Sequence, residues 1–221
     1  MWKKSKKALA LLLTAGMLLG LTACGGGSSS AKKDTIKIGY VNPTTGSLAG
    51  NGEGCQWVVD QITEYVKQHP ISVDGKEMDF QIIVYDSESD ANKCSEMTQK
   101  LIEEDDVDMI IAIQTPNTVI PVAEVAERYE VPCIATQSPI DPLANSREEF
   151  NWTYCSFYTL DDVYESQRAL WTAAGYEPGS GAKVGTLFAN DADGSAWHEI
   201  FSKRVVEDGY TLVDPGMYPS K

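Results

Sequence analysis

The stretch that decides the fold is Met109–Thr136, MIIAIQTPNTVIPVAEVAERYEVPCIAT. Its first segment, Met109–Ile113, is apolar throughout, as strands buried in parallel sheets are. A helix is predicted to open at Asn117, because apolar residues then recur at helical spacing on one face: Val122, Val125, Ala126 and Tyr129. Val131–Ala135 predicts the next strand. This order, with its short connections, predicts two parallel strands joined by a helix.

The same pattern extends towards the N-terminus. Ile36–Val41 and Phe80–Tyr85 predict two earlier strands. A glycine-rich turn, Gly46–Gly54, is predicted to lead into a helix with the apolar face Val58, Ile62, Tyr65 and Val66. Asp90 is predicted to cap a second helix, whose apolar face is Cys94, Met97, Leu101 and Ile102. The resulting fold class is α/β, a doubly wound parallel sheet of Rossmann-like form.

The pattern changes after Pro142. Phe150–Phe157 is an aromatic-rich extended run, and a helix is predicted from Asp161 to Ala174. A second strand–helix–strand series then follows, predicted at Lys183–Ala189, Ser195–Glu207 and Tyr210–Val213. A parallel sheet of two strands buries too little to be stable. We therefore expect a second, incomplete lobe, and a chain that is a fragment of a longer protein.

The N-terminus indicates export. Met1–Lys7 is basic, and Ala8–Leu21 is an apolar run of about 14 residues, short of the roughly 20 that span a bilayer. The run ends in Leu-Thr-Ala-Cys at positions 21–24, which resembles the bacterial lipobox, after which the cysteine is diacylated. The flexible sequence GGGSSS follows. We expect Cys24 to be the lipid anchor; an ordinary secretory signal with a chance cysteine is the alternative.

Charge and composition exclude several functions. The 221 residues include 18 Lys+Arg and 32 Asp+Glu, a net charge of −14. Such an acidic chain repels phosphate backbones, so no nucleic-acid partner is expected. Only His69 and His198 are available for histidine chemistry, and no CxxC is present, so neither a metal nor a cofactor is expected. Four cysteines remain for two disulfides or for buried free thiols: Cys55, Cys94, Cys133 and Cys155.

Five segments in this order resemble a known family: IKIGYVNPTTGSLAGNGEG, DFQIIVYDSESDANKC, MIIAI, EVPCIATQSP and KVGTLFANDADG. The series resembles type I periplasmic binding proteins, in particular the branched-chain amino acid and amide receptors of ABC importers. The resemblance implies two lobes that close on a small ligand, a lipid-anchored monomer outside the cytoplasm, and ABC permease subunits as partners. It places the first crossing of the hinge at Asn151–Phe157.

The resemblance also divides the chain. We predict a lipoprotein signal peptide at 1–23, a lipid-anchored tether at 24–35, an N-terminal ligand-binding lobe at 36–152, and a hinge crossing with a partial second lobe at 153–221.

Ligands of parallel sheets bind beyond the carboxyl ends of the strands. Residues 114–118 lie between a buried strand and a helix start, where Thr115, Asn117 and Thr118 could hold a carboxylate or carbonyl. Asn117 as a simple helix cap is the alternative. The resembling family commonly has serine where this chain has Pro116, so a standard carboxylate clamp is not expected.

Further ligand contacts follow from the resemblance, which implies Asn51 in the glycine-rich turn and Gln137 or Ser138 after the fourth strand. Tyr158 is a candidate for stacking on the ligand, with hinge packing as its alternative. In the second lobe, where the family often carries a tyrosine on the ligand, Asp191, Asp193 or Ser195 is the candidate. Helix capping by Asp193 or Ser195 is the alternative there. Carboxylates would suit an amino or amide group on the ligand.

Catalysis is not expected. No Gly-x-Ser-x-Gly turn is present, the glycines at 46–54 follow GxGxG and not the dinucleotide-binding GxGxxG, and no calcium loop surrounds Glu103–Asp106. Two alternatives to transport stay open: an anchored sensor that signals to a receptor, and a hydrolase using Asp86 and Asp191 as a carboxylate pair.

Overall fold

A computed structural model describes residues 34–219. The predicted signal peptide, the lipidation site Cys24 and most of the tether lie outside the described residues. The strands are β1 Thr35–Asn42, β2 Ile71–Val73, β3 Lys76–Asp86, β4 Met109–Ile113, β5 Cys133–Thr136, β6 Thr153–Ser156, β7 Lys183–Gly185, β8 Ala189–Asn190, β9 Thr211–Val213 and β10 Tyr218–Pro219. The helices are α1 Ala49–Gln68, α2 Ala91–Glu103, α3 Pro116–Tyr129, α4 Ile140–Ala144, α5 Leu160–Ala173 and α6 Ala192–Glu207.

The first sheet has six strands in the order β2-β3-β1-β4-β5-β6. All neighbours are parallel except β2, which forms an antiparallel hairpin with β3. In the register, Ile113 at the end of β4 stands opposite Thr136 at the end of β5, so the residues after both strands share one edge of the sheet. The predicted α/β class with parallel strands is confirmed.

One face of this sheet carries the main core. The inward residues Ile110, Ala112, Cys133 and Ala135 are fully buried and pack with the apolar faces of α2 and α3. The face predicted for α2 is confirmed, with Cys94 and Leu101 fully buried. Asp90 caps this helix as predicted, since its carboxylate accepts the Lys93 N–H at 2.9 Å. The carboxyl edge of the sheet therefore rests on a well-packed layer.

The prediction for α1 is wrong in two respects. The helix begins at Ala49, so most of the predicted glycine-rich turn is helical, and the predicted apolar face is exposed, with Tyr65 62% accessible. The buried face is instead Gly52, Cys55 and Val59. A Cβ at Gly52 would stand 1.9 Å from the Pro43 carbonyl oxygen, so only glycine lets the helix approach the end of β1 on that side. This close contact determines which face of α1 is turned towards the sheet.

The remainder of the chain forms a smaller region. β6 lies within the predicted hinge crossing, yet it pairs with β5 as the sixth strand of the first sheet; the predicted lobe boundary at 152/153 stays a prediction. The predicted strand 183–189 is two short strands, β7 paired with β9 and β8 paired with β10. They surround a core of buried aromatic and aliphatic side chains: Tyr164, Phe201, Val205 and Tyr210.

The sequence left open whether the cysteines form disulfides or stay free thiols. The four cysteines of residues 34–219 are all free thiols, and Cys55, Cys94 and Cys133 are buried. Among the helices described, none combines the length and the apolar character needed to cross a bilayer.

Candidate functional site

Two glutamines adopt left-handed backbone conformations where neighbouring strands end. Gln114 follows β4 with φ of 88°, and Gln137 follows β5 with φ of 62°. A non-glycine residue in this region costs on the order of 1–3 kcal/mol, and such strain is concentrated at functional sites. We name these strand ends, residues 114–118 and 137–138, the first edge, together with Cys55 of α1, which both glutamine side chains contact. Gln137 is a predicted ligand residue, and Gln114 lies in the predicted segment 114–118 but was not itself assigned a contact with the ligand.

The side chains of both glutamines meet at Cys55, on the buried face of α1. Gln114 Nε2 donates to Cys55 Sγ at 3.3 Å, and the thiol donates to Gln137 Oε1 at 3.9 Å. Tyr40 lies beneath them; burial raises the pKa of its phenol well above the ordinary value, and the contact with Cys55 adds to the increase. No prediction placed Cys55 at the ligand site, because the rotation of α1 that buries it was not foreseen.

The N-terminus of α3 holds three predicted ligand residues. Thr115, not Asn117, is the N-cap, so the capping alternative for Asn117 is wrong. Thr118 is buried, and its hydroxyl donates to the Ile113 carbonyl at 2.8 Å and accepts the Thr115 N–H at 3.2 Å. Asn117 is exposed. Since Pro116 has no N–H, the backbone N–H of Asn117 is the first donor that the helix itself presents.

The other predicted residues of the first lobe differ in exposure. Ser138 is fully buried next to Gln137. Tyr158 is 40% exposed and packs its ring on Phe157, with centroids 4.0 Å apart. Asn51 is exposed in the first turn of α1, where its N–H donates to the Leu48 carbonyl at 2.9 Å. Beside this turn lies an open groove of about 420 Å³ lined by Thr44, Ala49, Gly50, Gly52, Glu53 and Gln56.

Asp86, one half of the hypothetical hydrolytic pair, binds the loop after β1 through hydrogen bonds. Its Oδ1 accepts the N–H groups of Thr44, Thr45 and Glu88 at 2.9, 3.1 and 2.9 Å, and its Oδ2 accepts the Thr45 hydroxyl at 2.7 Å. Burial acts to raise the pKa of Asp86, but these donors together lower it below its ordinary value. The carboxylate is thus an ionised anchor for the loop, which does not favour a role in proton transfer.

The second region has its own strand-end surface, here named the second edge: residues 190–195 with Thr186 and Asp214. Asp191 caps α6, with Oδ1 accepting the Gly194 N–H at 2.8 Å. Asp193 Oδ1 accepts the Trp197 indole N–H at 3.1 Å. Burial raises the pKa of Asp193, and the Asp191 charge raises it further. The capping alternative named Asp193 or Ser195 and is wrong in the residue, since Asp191 is the N-cap. The cap and the indole contact each use one carboxylate oxygen.

A histidine–aspartate pair lies at the second edge. His198 Nε2 lies 2.6 Å from Asp214 Oδ2, and Asp214 Oδ1 accepts the Thr186 hydroxyl at 3.1 Å. The His198 contact, together with the Gly216 N–H and the Thr186 hydroxyl, holds the pKa of Asp214 below its ordinary value. In residues 34–219, no group of three or more His, Cys, Asp or Glu is arranged to hold a metal ion.

The two edges are connected through α6. This helix begins in the second edge, and it contacts both α3, which carries Thr115, Asn117 and Thr118, and α4, which follows Ser138. The Ile140 N–H also donates to the Tyr158 carbonyl at 3.1 Å, joining α4 to the segment before α5. The helix of the second edge therefore packs against the helices that follow the first edge.

The family is established by comparison. The model of the periplasmic binding protein family matches residues 35–221, and the chain belongs to this family, whose solved members similar to it are type I proteins of ABC transporters. No curated protein matches the chain in sequence.

Solved structures of the same fold are longer than this chain. A solute-binding protein of an ABC transporter from Rhodopseudomonas palustris BisB5, in complex with 3,4-dihydroxybenzoic acid, is 25% identical with a TM-score of 0.66; the match covers 85% of this chain and 48% of that one. A leucine-binding protein from Thermotoga maritima is 19% identical with a TM-score of 0.67, covering 84% and 49%. An R. palustris solute-binding protein in complex with 4-hydroxybenzoate is 18% identical with a TM-score of 0.67, covering 84% and 47%. The chain spans about half the length of each.

Proposed function

We propose that this chain is the ligand-binding part of an extracytoplasmic solute receptor that delivers an amino acid or a small amide to an ABC importer. The observation that carries the proposal is the match of residues 35–221 to the periplasmic binding protein family. The contact of α6 with α3 and α4 supports it, because it packs the helix of the second edge against helices that follow the first edge. Family membership supports an extracytoplasmic location and permease subunits as partners. The sequence around Cys24 supports a lipid anchor on the bacterial membrane.

The chemistry of the edges favours a ligand with two different polar ends. The first edge offers neutral donors: the N–H of Asn117 at a helix N-terminus attracts a carboxylate or carbonyl oxygen. The second edge offers carboxylates, because within the described residues the second oxygens of Asp191 and Asp193 have no hydrogen-bond partner. An ammonium or amide N–H group fits those oxygens. An amino acid or amide meets both requirements.

The proposed mechanism is closure without chemistry. A ligand that contacts both edges stabilises the closed arrangement and shifts an existing open–closed equilibrium towards it. The closed form then docks on the permease as a monomer. No bond of the ligand is made or broken, so the two edges need only bind, orient and release it.

The proposal is tested by the melting temperature of the full chain with L-leucine, other amino acids, their amides and 4-hydroxybenzoate. We expect a saturable increase with an amino acid or amide, lost in the double variant Thr115→Ala/Asn117→Ala. Asn92→Ala is the matched control, because Asn92 is exposed at the second position of α2 as Asn117 is in α3. An increase with 4-hydroxybenzoate alone would contradict the ligand class. An increase that survives in the double variant would contradict the site.

The anchor is tested separately. We expect the protein to sediment with bacterial membranes and the Cys24→Ala variant to be found in the soluble extracytoplasmic fraction. Equal membrane association of both forms would contradict anchoring through Cys24, without bearing on ligand binding.

A further inference from the structure

The first edge contains a thiol whose partners come from two different strand ends. Cys55 is 6% exposed on α1, Gln114 follows β4 and Gln137 follows β5. The thiol accepts from Gln114 Nε2 at 3.3 Å and donates to Gln137 Oε1 at 3.9 Å. One side chain thus links two residues whose left-handed backbones need support from their surroundings.

We propose that Cys55 is the positioning residue of the first edge, holding the Gln114 and Gln137 amides in one fixed orientation for the ligand. Gln114 has its nitrogen on the thiol, so its oxygen is left as an acceptor. Gln137 has its oxygen on the thiol, so its nitrogen is left as a donor. The pair presents one acceptor and one donor, which matches an amide or a hydroxyl group on a ligand.

Sulfur is suited to this span. An oxygen acceptor or donor forms a hydrogen bond at up to about 3.2 Å, whereas the longer reach of sulfur accommodates the contacts at 3.3 and 3.9 Å. A serine at position 55 therefore loses both contacts, to Gln114 and to Gln137. This loss separates a positioning role from simple packing, because serine and cysteine are close in volume.

The first measurement needs no ligand: the side-chain amide signals of Gln114 and Gln137 in ¹H–¹⁵N NMR spectra of the full chain. We expect both signals to move in Cys55→Ala and also in Cys55→Ser, because neither contact is within reach of an oxygen at position 55. Cys94→Ala is the control, because Cys94 is a fully buried thiol on α2 that takes no part in these contacts. It should leave both signals in place. Unchanged glutamine signals in Cys55→Ala would overturn the proposal.

The second measurement, ligand affinity, rests on the proposed function. Using as probe whichever of L-leucine and L-leucinamide raises the melting temperature of the wild type, we expect Cys55→Ala to weaken binding about tenfold, the value of one lost hydrogen bond. Cys94→Ala should retain wild-type affinity, even if it lowers the melting temperature.

The two measurements together distinguish failure of the positioning role from failure of the proposed function. Moved glutamine signals with unchanged probe affinity would overturn the positioning role and leave the proposed function intact. If neither probe binds the wild type, the proposed ligand class fails, and the amide signals alone decide whether Cys55 holds the two glutamines.

Discussion

The first and second edges differ in the chemical groups that they contain. The first edge relies on backbone shape: two left-handed glutamines, a helix N-terminus and a thiol, supported by a six-stranded sheet. The second edge relies on charge: Asp191, Asp193 and the His198–Asp214 pair, supported by two pairs of short strands. The proposed function therefore assigns selection by the direction of neutral hydrogen bonds to the first edge and selection by charge to the second.

Each edge lies beside a helix whose first turn packs closely against backbone at a glycine. Substituting that glycine should have the largest effect on stability. A Cβ at Gly52 would stand 1.9 Å from the Pro43 carbonyl oxygen, and one at Gly194 would stand 2.0 Å from that of Ala189. We expect Gly52→Ala and Gly194→Ala each to lower the free energy of unfolding by about 2 kcal/mol or more, because backbone must move. Urea denaturation measures the change.

Gly54→Ala is the matched control for that comparison. Gly54 lies in the same helix as Gly52, and a Cβ there has no atom within 4 Å. Alanine should therefore stabilise the protein by about 0.5–1 kcal/mol through its better helix propensity. Equal effects of Gly52→Ala and Gly54→Ala would refute the close approach of α1 to β1.

The helix caps test whether the second edge is more than structural. Asp191 caps α6 and Asp90 caps α2. We expect Asp191→Ala and Asp90→Ala each to lower the free energy of unfolding by about 1 kcal/mol, the usual value of an N-cap. Only Asp191→Ala should also weaken ligand binding in a calorimetric titration. If both variants bind equally well, Asp191 serves the helix alone.

Two residues with the same left-handed backbone, one inside the first edge and one outside it, test the role of the first edge in binding. Gln137 and Glu130 are both exposed and have φ of 62° and 57°. Glycine relieves the left-handed strain at either position, so each variant should gain about 0.5–1 kcal/mol after the entropy loss of glycine is counted. Glu130→Gly should bind ligand as the wild type does, whereas Gln137→Gly should bind more weakly. Loss of binding in both would indicate a general effect of flexibility.

The smallest effects concern pH at the second edge. The pKa of Asp193 is raised on folding, so its ionisation opposes the folded state above the ordinary value of 3.8. The pKa of Asp214 is lowered, so its ionisation favours the folded state above 3.8, and this contribution is lost as the pH falls through the lowered pKa. At pH 7, Asp193→Asn should be more stable than the wild type and Asp214→Asn less stable.

The Asp193 difference should shrink as the pH falls through its raised pKa towards 3.8, and the Asp214 difference only below 3.8, as the pH falls towards its lowered pKa. Thermal melting between pH 3 and pH 7 measures them. Differences of the same sign for the two variants would show that burial and pairing have been assigned to the wrong residues.

The apolar runs predicted the order of strands and helices in the first sheet well. The strand-end rule predicted the segments around Thr115 and Gln137, because it depends only on where buried strands stop. The rotation of α1 was missed, since it depends on the contact of Gly52 with Pro43, which no local pattern reveals. Cys55 was missed for the same reason. Gln114 was within the predicted segment, but glutamine does not typically mark a left-handed turn, so no local pattern predicted its backbone conformation.

The most direct test of the two-edge account is amide hydrogen exchange of the full chain, with and without the ligand that raises its melting temperature most. A ligand held between the edges should slow exchange both at residues 114–118 and at residues 190–195. Slower exchange in one of these segments alone, or in neither, would contradict binding across the two edges.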